Sequence, residues 1–380
     1  MLKMIIAFII DTLQTGGAEK SLLEITARFK KYKPVFFQLY PGDALLQDFK
    51  KTGIEVKQFN FKPDYNFKET AQRIAPALSA AQPDLIHSTL FRADMVSRHL
   101  SKRMNIPLIN SLVNNSYSWQ RYKAMSLAGR LKLFGIQWWD RFTSKQVDLF
   151  ISNSRAIQET NAKALNIPAH KIKVIYRGRD INQFHLVSEA QVYEERQRLG
   201  VQSKKVFLNV SRLLDRKGQL DLVQAYHKVY QQNSDTILLV AGEGVYRYAL
   251  EQEIEKLNLR GSVVLLGNRT DVPVLLKLAD YFVFPSHYEG LPGALIEAMF
   301  SKTPIIASAI PENIECVSSD LALFFPAGNV DALAERMLTA LDCKDWQTRI
   351  EMIYNFALQH FEINKIADQY EATYDQLLLR

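Results

Sequence analysis

Cysteine is almost missing from this sequence. The 380 residues hold two, Cys316 and Cys343, and neither has the paired spacing of a zinc site or a redox motif. Two cysteines cannot build a disulfide framework, so a small disulfide-stapled fold is excluded and a reducing compartment is expected. Long apolar runs are missing too. The run Met4 to Ile10 stops at Asp11, well short of the roughly 20 residues that a membrane-spanning helix needs. No small-residue cleavage site follows it, and no later stretch approaches transmembrane length. A cytosolic protein is expected, with Met4 to Ile10 as a buried first strand. There is no low-complexity tract, no internal repeat beyond two similar α/β halves, and no Asp-x-Asp pair of the kind that presents a divalent cation to a diphosphate.

What is present is an ordinary globular composition, 47% apolar and 23% charged, over a length that suggests about two domains. The net charge of +7 conceals a split. Residues 1–180 carry 28 Lys and Arg against 14 Asp and Glu, a net of +14, and the remainder is −7. The first half should attract an anionic partner: nucleic acid, a membrane surface or an acidic acceptor. Strand-like runs alternate with helical patterns throughout. Val35 to Tyr40, Asp84 to His87, Leu108 to Asn110 and Leu149 to Asn153 read as strands, and Ala18 to Lys31 as an amphipathic helix. That alternation points to parallel sheets covered on both faces, whose ligands sit beyond the carboxyl ends of the strands.

The stretch Pro285 to Met299, PSHYEGLPGALIEAM, follows an aromatic-rich run, Tyr281 to Phe284, that reads as a buried strand. A polar loop, Ser286 to Gly290, leads to Pro292, which suits a first helical position because its φ is preset. The N–H groups of that first turn make an anion site. Glu289 and Glu297 bracket it. Bare carboxylates would repel an anion, so they fit better as acceptors for hydroxyls on a ligand with phosphate in its middle and polyols at both ends, a nucleotide-sugar. Elsewhere, Arg212 and Lys217 lie between the strand Val206 to Val210 and the helix Leu220 to Tyr230. A guanidinium fork and an ammonium point charge together suit a diphosphate, though a solvated loop would look the same.

Gly16 and Gly17 follow the first strand, where glycine lets backbone approach a ligand or simply turns the chain. His87 ends a strand at the same edge. Tyr117 to Phe142 mixes Arg121, Lys123, Arg130, Lys132 and Arg141 with Trp119, Leu131, Phe134, Trp138 and Trp139. Such a segment suits a helix in a membrane interface, a core helix with a solvated basic face, or single-stranded nucleic acid. Arg177 and Arg179 place two more cations where the first half ends, either for phosphate or an acidic acceptor, or as solvated surface charge.

Several fixed spacings agree at once with one family. Ser286, Glu289, Gly290, Leu291, Pro292, Glu297 and Ala298 together resemble the Glu-x7-Glu signature of the retaining family 4 glycosyltransferases. The stretch GGAEKSL resembles that family's N-terminal loop, and Arg212 with Lys217-Gly218 its diphosphate-gripping pair. Gly267-Asn268-Arg269 is similar to its nucleobase loop, and Ile363 to Leu379 to its tail that crosses back to the first domain. The resemblance covers nearly the whole chain. It implies an α/β fold of the GT-B type, two doubly wound Rossmann-like domains facing across a cleft. The expected division is an acceptor-side domain at 1–184, a donor domain at 185–362 and a returning helix at 363–380.

For the site, the resemblance implies catalytic roles for Arg212, Lys217, Glu289 and His87. It implies donor binding by Gly16, Gly17, Asn268, Arg269, Gly290, Leu291, Pro292 and Glu297, with Glu289 on the transferred sugar and Glu297 on the ribose. Arg177 and Arg179 would face an acceptor or a phosphate; the family prefers a small polar and an apolar residue there. Many relatives carry a second histidine where this chain has Thr89. The implied reaction is retaining transfer of a sugar from a nucleotide-sugar, a UDP-sugar first, to a glycan or lipid-linked acceptor. Neither metal nor cofactor is expected, because fixed cations and a helix N-terminus meet the charge of the leaving diphosphate. An anionic membrane surface is an expected partner and nucleic acid is not, which places the protein peripherally on the inner face of the membrane. Two alternatives stay open: a nucleotide-sugar epimerase of the same architecture, and a non-catalytic protein that binds nucleotide-sugars or nucleic acid.

Overall fold

The structure, a computed structural model, describes residues 3–123 and 125–379. It divides into two compact units, Met1–Gly178 with Ile363–Arg380, and Arg179–Glu362. The first unit runs β1 (Met4–Ile10), α1 (Gly17–Thr26), β2 (Tyr32–Gln38), α2 (Leu46–Lys51), β3 (Glu55–Gln58), α3 (Phe67–Ala81), β4 (Leu85–Thr89) and α4 (Phe91–Met104). It continues with β5 (Leu108–Leu112), α5 (Trp119–Lys123), α6 (Leu127–Thr143), β6 (Leu149–Ser152), α7 (Arg155–Leu165) and β7 (Ile172–Val174). The second unit holds α8 (Asn182–His185), α9 (Glu189–Arg198), β8 (Lys205–Val210), α10 (Gln219–Gln232), β9 (Thr236–Ala241), α11 (Arg247–Lys256) and β10 (Val263–Gly267). There follow α12 (Val272–Leu278), β11 (Tyr281–Phe284), α13 (Gly293–Phe300), β12 (Ile305–Ser308), α14 (Pro311–Val317), β13 (Leu323–Phe325), α15 (Val330–Asp342) and α16 (Trp346–His360). The last helix, α17 (Ile363–Leu378), belongs to the first unit.

Both sheets are parallel, in the orders β3-β2-β1-β4-β5-β6-β7 and β10-β9-β8-β11-β12-β13. In each, the chain winds outward from the first strand and then returns to that strand's other side. The reversals fall between β1 and β4 and between β8 and β11, and a crevice at such a reversal is where ligands of doubly wound sheets bind. Central strands are apolar on both faces because helices cover both. Ile6, Phe8 and Ile10 point into one buried cluster, Ala7 and Ile9 into another.

The division between units lies at Gly178, not after Phe184 as the sequence suggested. The reason is packing. Phe184 on α8 is buried against Phe300 of α13, with ring centroids 6.1 Å apart, so α8 is part of the second unit. The closing helix has the opposite affiliation. Ile363, Ile366, Ala367, Tyr370 and Tyr374 recur at helical spacing and join the cluster around Phe8 and Phe36. Glu371 fixes its position by accepting the N–H groups of Lys30 and Lys31 at 2.8 and 2.7 Å.

Candidate active site

The second unit brings two of its predicted site residues, Lys217 and Glu289, together at the reversal between β8 and β11. Lys217 closes a short 3-10 turn after β8, and Glu289 ends the loop after β11. Lys217 Nζ donates to Glu289 Oε1 at 2.5 Å, and Arg216 Nη1 lies 3.6 Å from Glu289 Oε2. The Lys217 and Glu289 side chains are 12% and 8% exposed, so solvent screens this pair little. Burial works to raise the Glu289 pKa, but the charges of Lys217 and Arg216 outweigh it and hold the carboxyl below its ordinary value. Burial lowers the Lys217 pKa. Lys217 also lies 5.2 Å from the centre of the Phe284 ring. Gly218 follows with φ +68°, and a Cβ there would strike the Pro285 carbonyl, so glycine lets the two loops touch.

Three neighbours had not been singled out from sequence. Arg216 donates to the Tyr288 carbonyl at 3.0 Å and sets a second cation beside Glu289. His287 Nε2 bonds Asp221 Oδ2 at 2.7 Å, an interaction that raises the imidazole pKa. The sequence signal was proximity: Arg216 precedes Lys217, and His287 lies two residues before Glu289. Arg212, by contrast, is exposed at the same edge, and the loop 242–244 packs under it through Leu213 N to Glu243 O at 2.9 Å.

Glu297 lies on α13, and Arg179 Nε donates to its Oε1 at 2.7 Å. Arg179, expected to face an acceptor or phosphate, is 4% exposed and held by this pair. Pro292 is the extended residue ahead of α13, whose first residue is Gly293, so the helix starts one residue later than expected. Leu291 is buried, which leaves only its backbone for a donor, and Gly290 is half-buried beside it. Arg269 is also reassigned. Asp271 and Glu195 hold its guanidinium, the latter at 2.8 Å, and hydrogen bonding to Asp271 raises its pKa; a group so engaged is a poor nucleobase contact. Asn268 beside it is exposed.

In the first unit, Gly16 and Gly17 begin α1, and no side chain caps that helix. The close approach expected there is real, but the chain's own side chains make it. A Cβ on Gly17 would lie 2.9 Å from Arg177 Nη1, and one on Gly16 would strike the Glu19 carboxylate. Arg177 thus sits at the α1 N-terminus, two residues from Arg179 but in the other unit. His87 is not a catalytic candidate. It has no exposed surface, Tyr374 and Ser111 occupy its two ring nitrogens at 2.8 Å each, and burial drives its pKa down to about 3. It is a core histidine packed against Phe8.

The segment Tyr117 to Phe142 forms α5 and α6, apart from Ala124, which lies outside the described residues. On α6, Leu127, Leu131, Phe134, Trp138 and Phe142 are each at least 60% exposed and follow one another at helical spacing. Trp139 differs from its neighbour: it packs inward on Phe67 at 5.2 Å. Arg130 is tied to carbonyls of residues 122, 123 and 125, while Arg141 is exposed. Among the described residues no helix is long and apolar enough to cross a membrane.

The family model for glycosyl transferases group 1 matches residues 192–357, and that for glycosyltransferase family 4 matches residues 15–183. The two doubly wound units are those of the GT-B fold. The chain belongs to glycosyltransferase family 4 and is a glycosyltransferase. It is similar to a UDP-Gal:alpha-D-GlcNAc-diphosphoundecaprenol alpha-1,3-galactosyltransferase of Escherichia coli, 25% identical over 78% of this chain and 76% of that one. It is also similar to an N,N'-diacetylbacillosaminyl-diphospho-undecaprenol alpha-1,3-N-acetylgalactosaminyltransferase of Campylobacter jejuni, 25% identical over 94% and 95%. Among solved structures, Anabaena Alr3699/HepE in complex with UDP-glucose superposes with a TM-score of 0.86 at 24% identity, over 98% of this chain and all of that one.

Proposed function

We propose that this glycosyltransferase moves a hexosyl or N-acetylhexosaminyl group, with retention, from a UDP-sugar to a lipid-linked acceptor. The observation that carries the reading is the Lys217–Glu289 pair at the β8/β11 reversal, with Arg216 and Arg212 at the same edge. Departure of a nucleoside diphosphate builds negative charge on its terminal phosphate, and cations already fixed in place stabilise that charge without reorganising. Glu289 holds Lys217 in position, and each carboxylate oxygen keeps a second lone pair for a hydroxyl of the transferred sugar. Glu297, oriented by Arg179, is assigned to the ribose. Because these cations meet the diphosphate, activity is expected to survive chelation of divalent metal.

The acceptor class rests on α6. Its apolar stripe and the basic residues around it, Arg141 and Lys145 among them, suit the headgroup region of an anionic bilayer. The names of the two relatives give diphosphoundecaprenol-linked sugars as their acceptors. The proposed location is the cytoplasmic membrane surface. The test is a panel of UDP-sugars screened by thermal shift, since a bound donor stabilises the fold by mass action. Donors that bind are then incubated with and without undecaprenyl-diphosphate-linked sugars. Conversion of a donor to its epimer without acceptor would replace this reading with an epimerase, and binding with no turnover on any acceptor would leave a nucleotide-sugar binding protein.

A further inference from the structure

Glu289 ends a loop with no regular structure of its own, so its aim depends on what that loop is tied to. The inner end is fixed in the core. The Ser286 carbonyl accepts the Ser308 hydroxyl at 2.5 Å, and the Pro285 carbonyl abuts Gly218. The outer end is tied to the segment that carries Lys217. The His287 N–H donates to the Arg216 carbonyl at 2.9 Å, and Arg216 Nη1 donates in return to the Tyr288 carbonyl at 3.0 Å. A third tie joins two side chains: His287 Nε2 donates to Asp221 Oδ2 at 2.7 Å. Asp221 stands in the first turn of α10, where the helix dipole favours a carboxylate. The His287 and Asp221 side chains are 35% and 23% exposed, so this pair can exchange its proton with solvent while the loop stays closed.

We propose that His287 and Asp221 are positioning residues for sugar transfer, a clamp that holds the Glu289 loop on the turn bearing Lys217. The proposal rests on the donor reading of Lys217 and Glu289 and adds what keeps those two in register. His287 lies two residues before Glu289 and Asp221 four after Lys217, so the clamp closes a short ring of chain with the Lys217–Glu289 pair on its other side. A shift at His287 therefore carries Glu289 with it. The clamp also has a charge state. A neutral imidazole still donates from Nε2, but an imidazolium makes that hydrogen bond charge-assisted on both sides. The hydrogen bond to Asp221 raises the His287 pKa above its ordinary 6.5 against the effect of burial, and the charges of Asp221 and Asp215 add to the rise. The neighbouring groups are engaged elsewhere: Tyr246 donates its hydroxyl to Asp215, and Arg216 and Lys217 face Glu289. Because the folded value lies above the ordinary one, the clamp is complete below 6.5 and slackens as pH rises through the folded value. Glu289 should then lose its aim at the transferred sugar.

Two measurements on the full chain test this. Amide hydrogen exchange over residues 286–291, corrected for the intrinsic rate, reports the clamp without any ligand. Calorimetry between about pH 6 and pH 9, with UDP and with UDP-glucose, UDP-galactose, UDP-N-acetylglucosamine and UDP-N-acetylgalactosamine, reports what the clamp does for the donor. His287→Ala should lower both the protection and the UDP-sugar affinity about 5-fold, as for a half-exposed ion pair, while UDP affinity stays within about twofold. In the wild type, protection and UDP-sugar affinity should both decline as pH rises through the His287 value. Asp221→Asn should move that decline to lower pH, and His287→Lys, whose cation does not titrate in this range, should keep both flat. A decline that persists unchanged in Asp221→Asn and His287→Lys would belong to Lys217, whose pKa burial lowers, and would overturn the clamp. Equal protection and affinity in wild type and His287→Ala, or equal losses for UDP and UDP-sugar, would overturn it too. A wild type that binds no UDP-sugar would sink the donor reading and the clamp with it, whereas binding that ignores His287 would sink the clamp alone.

Discussion

Replacing Lys217 tests stability and catalysis separately. Lys217→Ala leaves Glu289 buried, with Arg216 at 3.6 Å as its remaining cation. Removing one partner of a buried pair costs about 3–5 kcal/mol, because the other charge stays buried without its closest partner. For a unit of this size each kcal/mol lowers the melting temperature by roughly 2–4 °C, so a fall on the order of 10 °C is expected. The double variant Lys217→Met/Glu289→Gln removes both charges and should regain most of that loss. Turnover should not return with it: loss of a fixed transition-state charge costs about 10²–10³-fold in kcat. The assay pairs calorimetric melting with release of nucleoside diphosphate for wild type, single and double variants. A single variant that melts like the wild type would show that the pair does not form in solution. A stable double variant with near-normal kcat would refute the diphosphate role of Lys217.

Glu289→Gln should weaken binding of the complete UDP-sugar and spare UDP, whereas Glu297→Gln should weaken both; calorimetry with the two ligands decides, and equal losses in both variants would overturn the division between sugar and ribose. The depressed Glu289 pKa means that its stabilisation is complete above the ordinary glutamate value of 4.5 and lost as pH falls through the lower folded value, so acid melting of Glu289→Gln should show a shallower decline than the wild type. In an NMR titration His287 should take up its proton above the ordinary value of 6.5, and Asp221→Asn should bring it back down, while His87 should stay neutral from pH 5 to 8. Wild-type protein should co-sediment with anionic liposomes and release partly in high salt, as exposed charges are screened. Leu131→Ser/Phe134→Ser/Trp138→Ser should abolish the salt-resistant part, and equal binding to neutral liposomes would dispose of the electrostatic contribution.

The parts of this fold that were legible in the sequence are those where local pattern and tertiary environment agree. Met4–Ile10 and Tyr281–Phe284 are apolar enough to read as buried strands and are buried strands. Glu55–Gln58 escaped notice because an edge strand with polar side chains carries no apolar run. The candidate site could be named from sequence as residue types at fixed spacing but not as partnerships. Lys217 and Glu289, expected on different parts of a ligand, are each other's partner, and Arg179 serves Glu297. His87 misled because sequence places a residue at a strand's end without saying that Tyr374, far along the chain, closes over it. The two adjacent tryptophans could not be told apart until α6 was wound: Trp138 faces outward and Trp139 inward.

The helix α17 gives this protein an awkward schedule of synthesis. The first unit's sheet is made early, but the stripe Ile363, Ile366, Tyr370 and Tyr374 that completes its core is made after the whole second unit. At roughly 5–20 residues per second, the ribosome spends about 10–40 s between them. Throughout that interval Phe8, Phe36 and His87 lack the cover they have in the finished protein, and exposed core of this kind recruits chaperones or other chains. Residues 179–362 have no such debt to the end of the chain. Their first and last residues meet, through the Arg179 N–H and the Phe361 carbonyl at 2.9 Å, so that segment can close as soon as it emerges. The nascent chain therefore completes its second unit before its first.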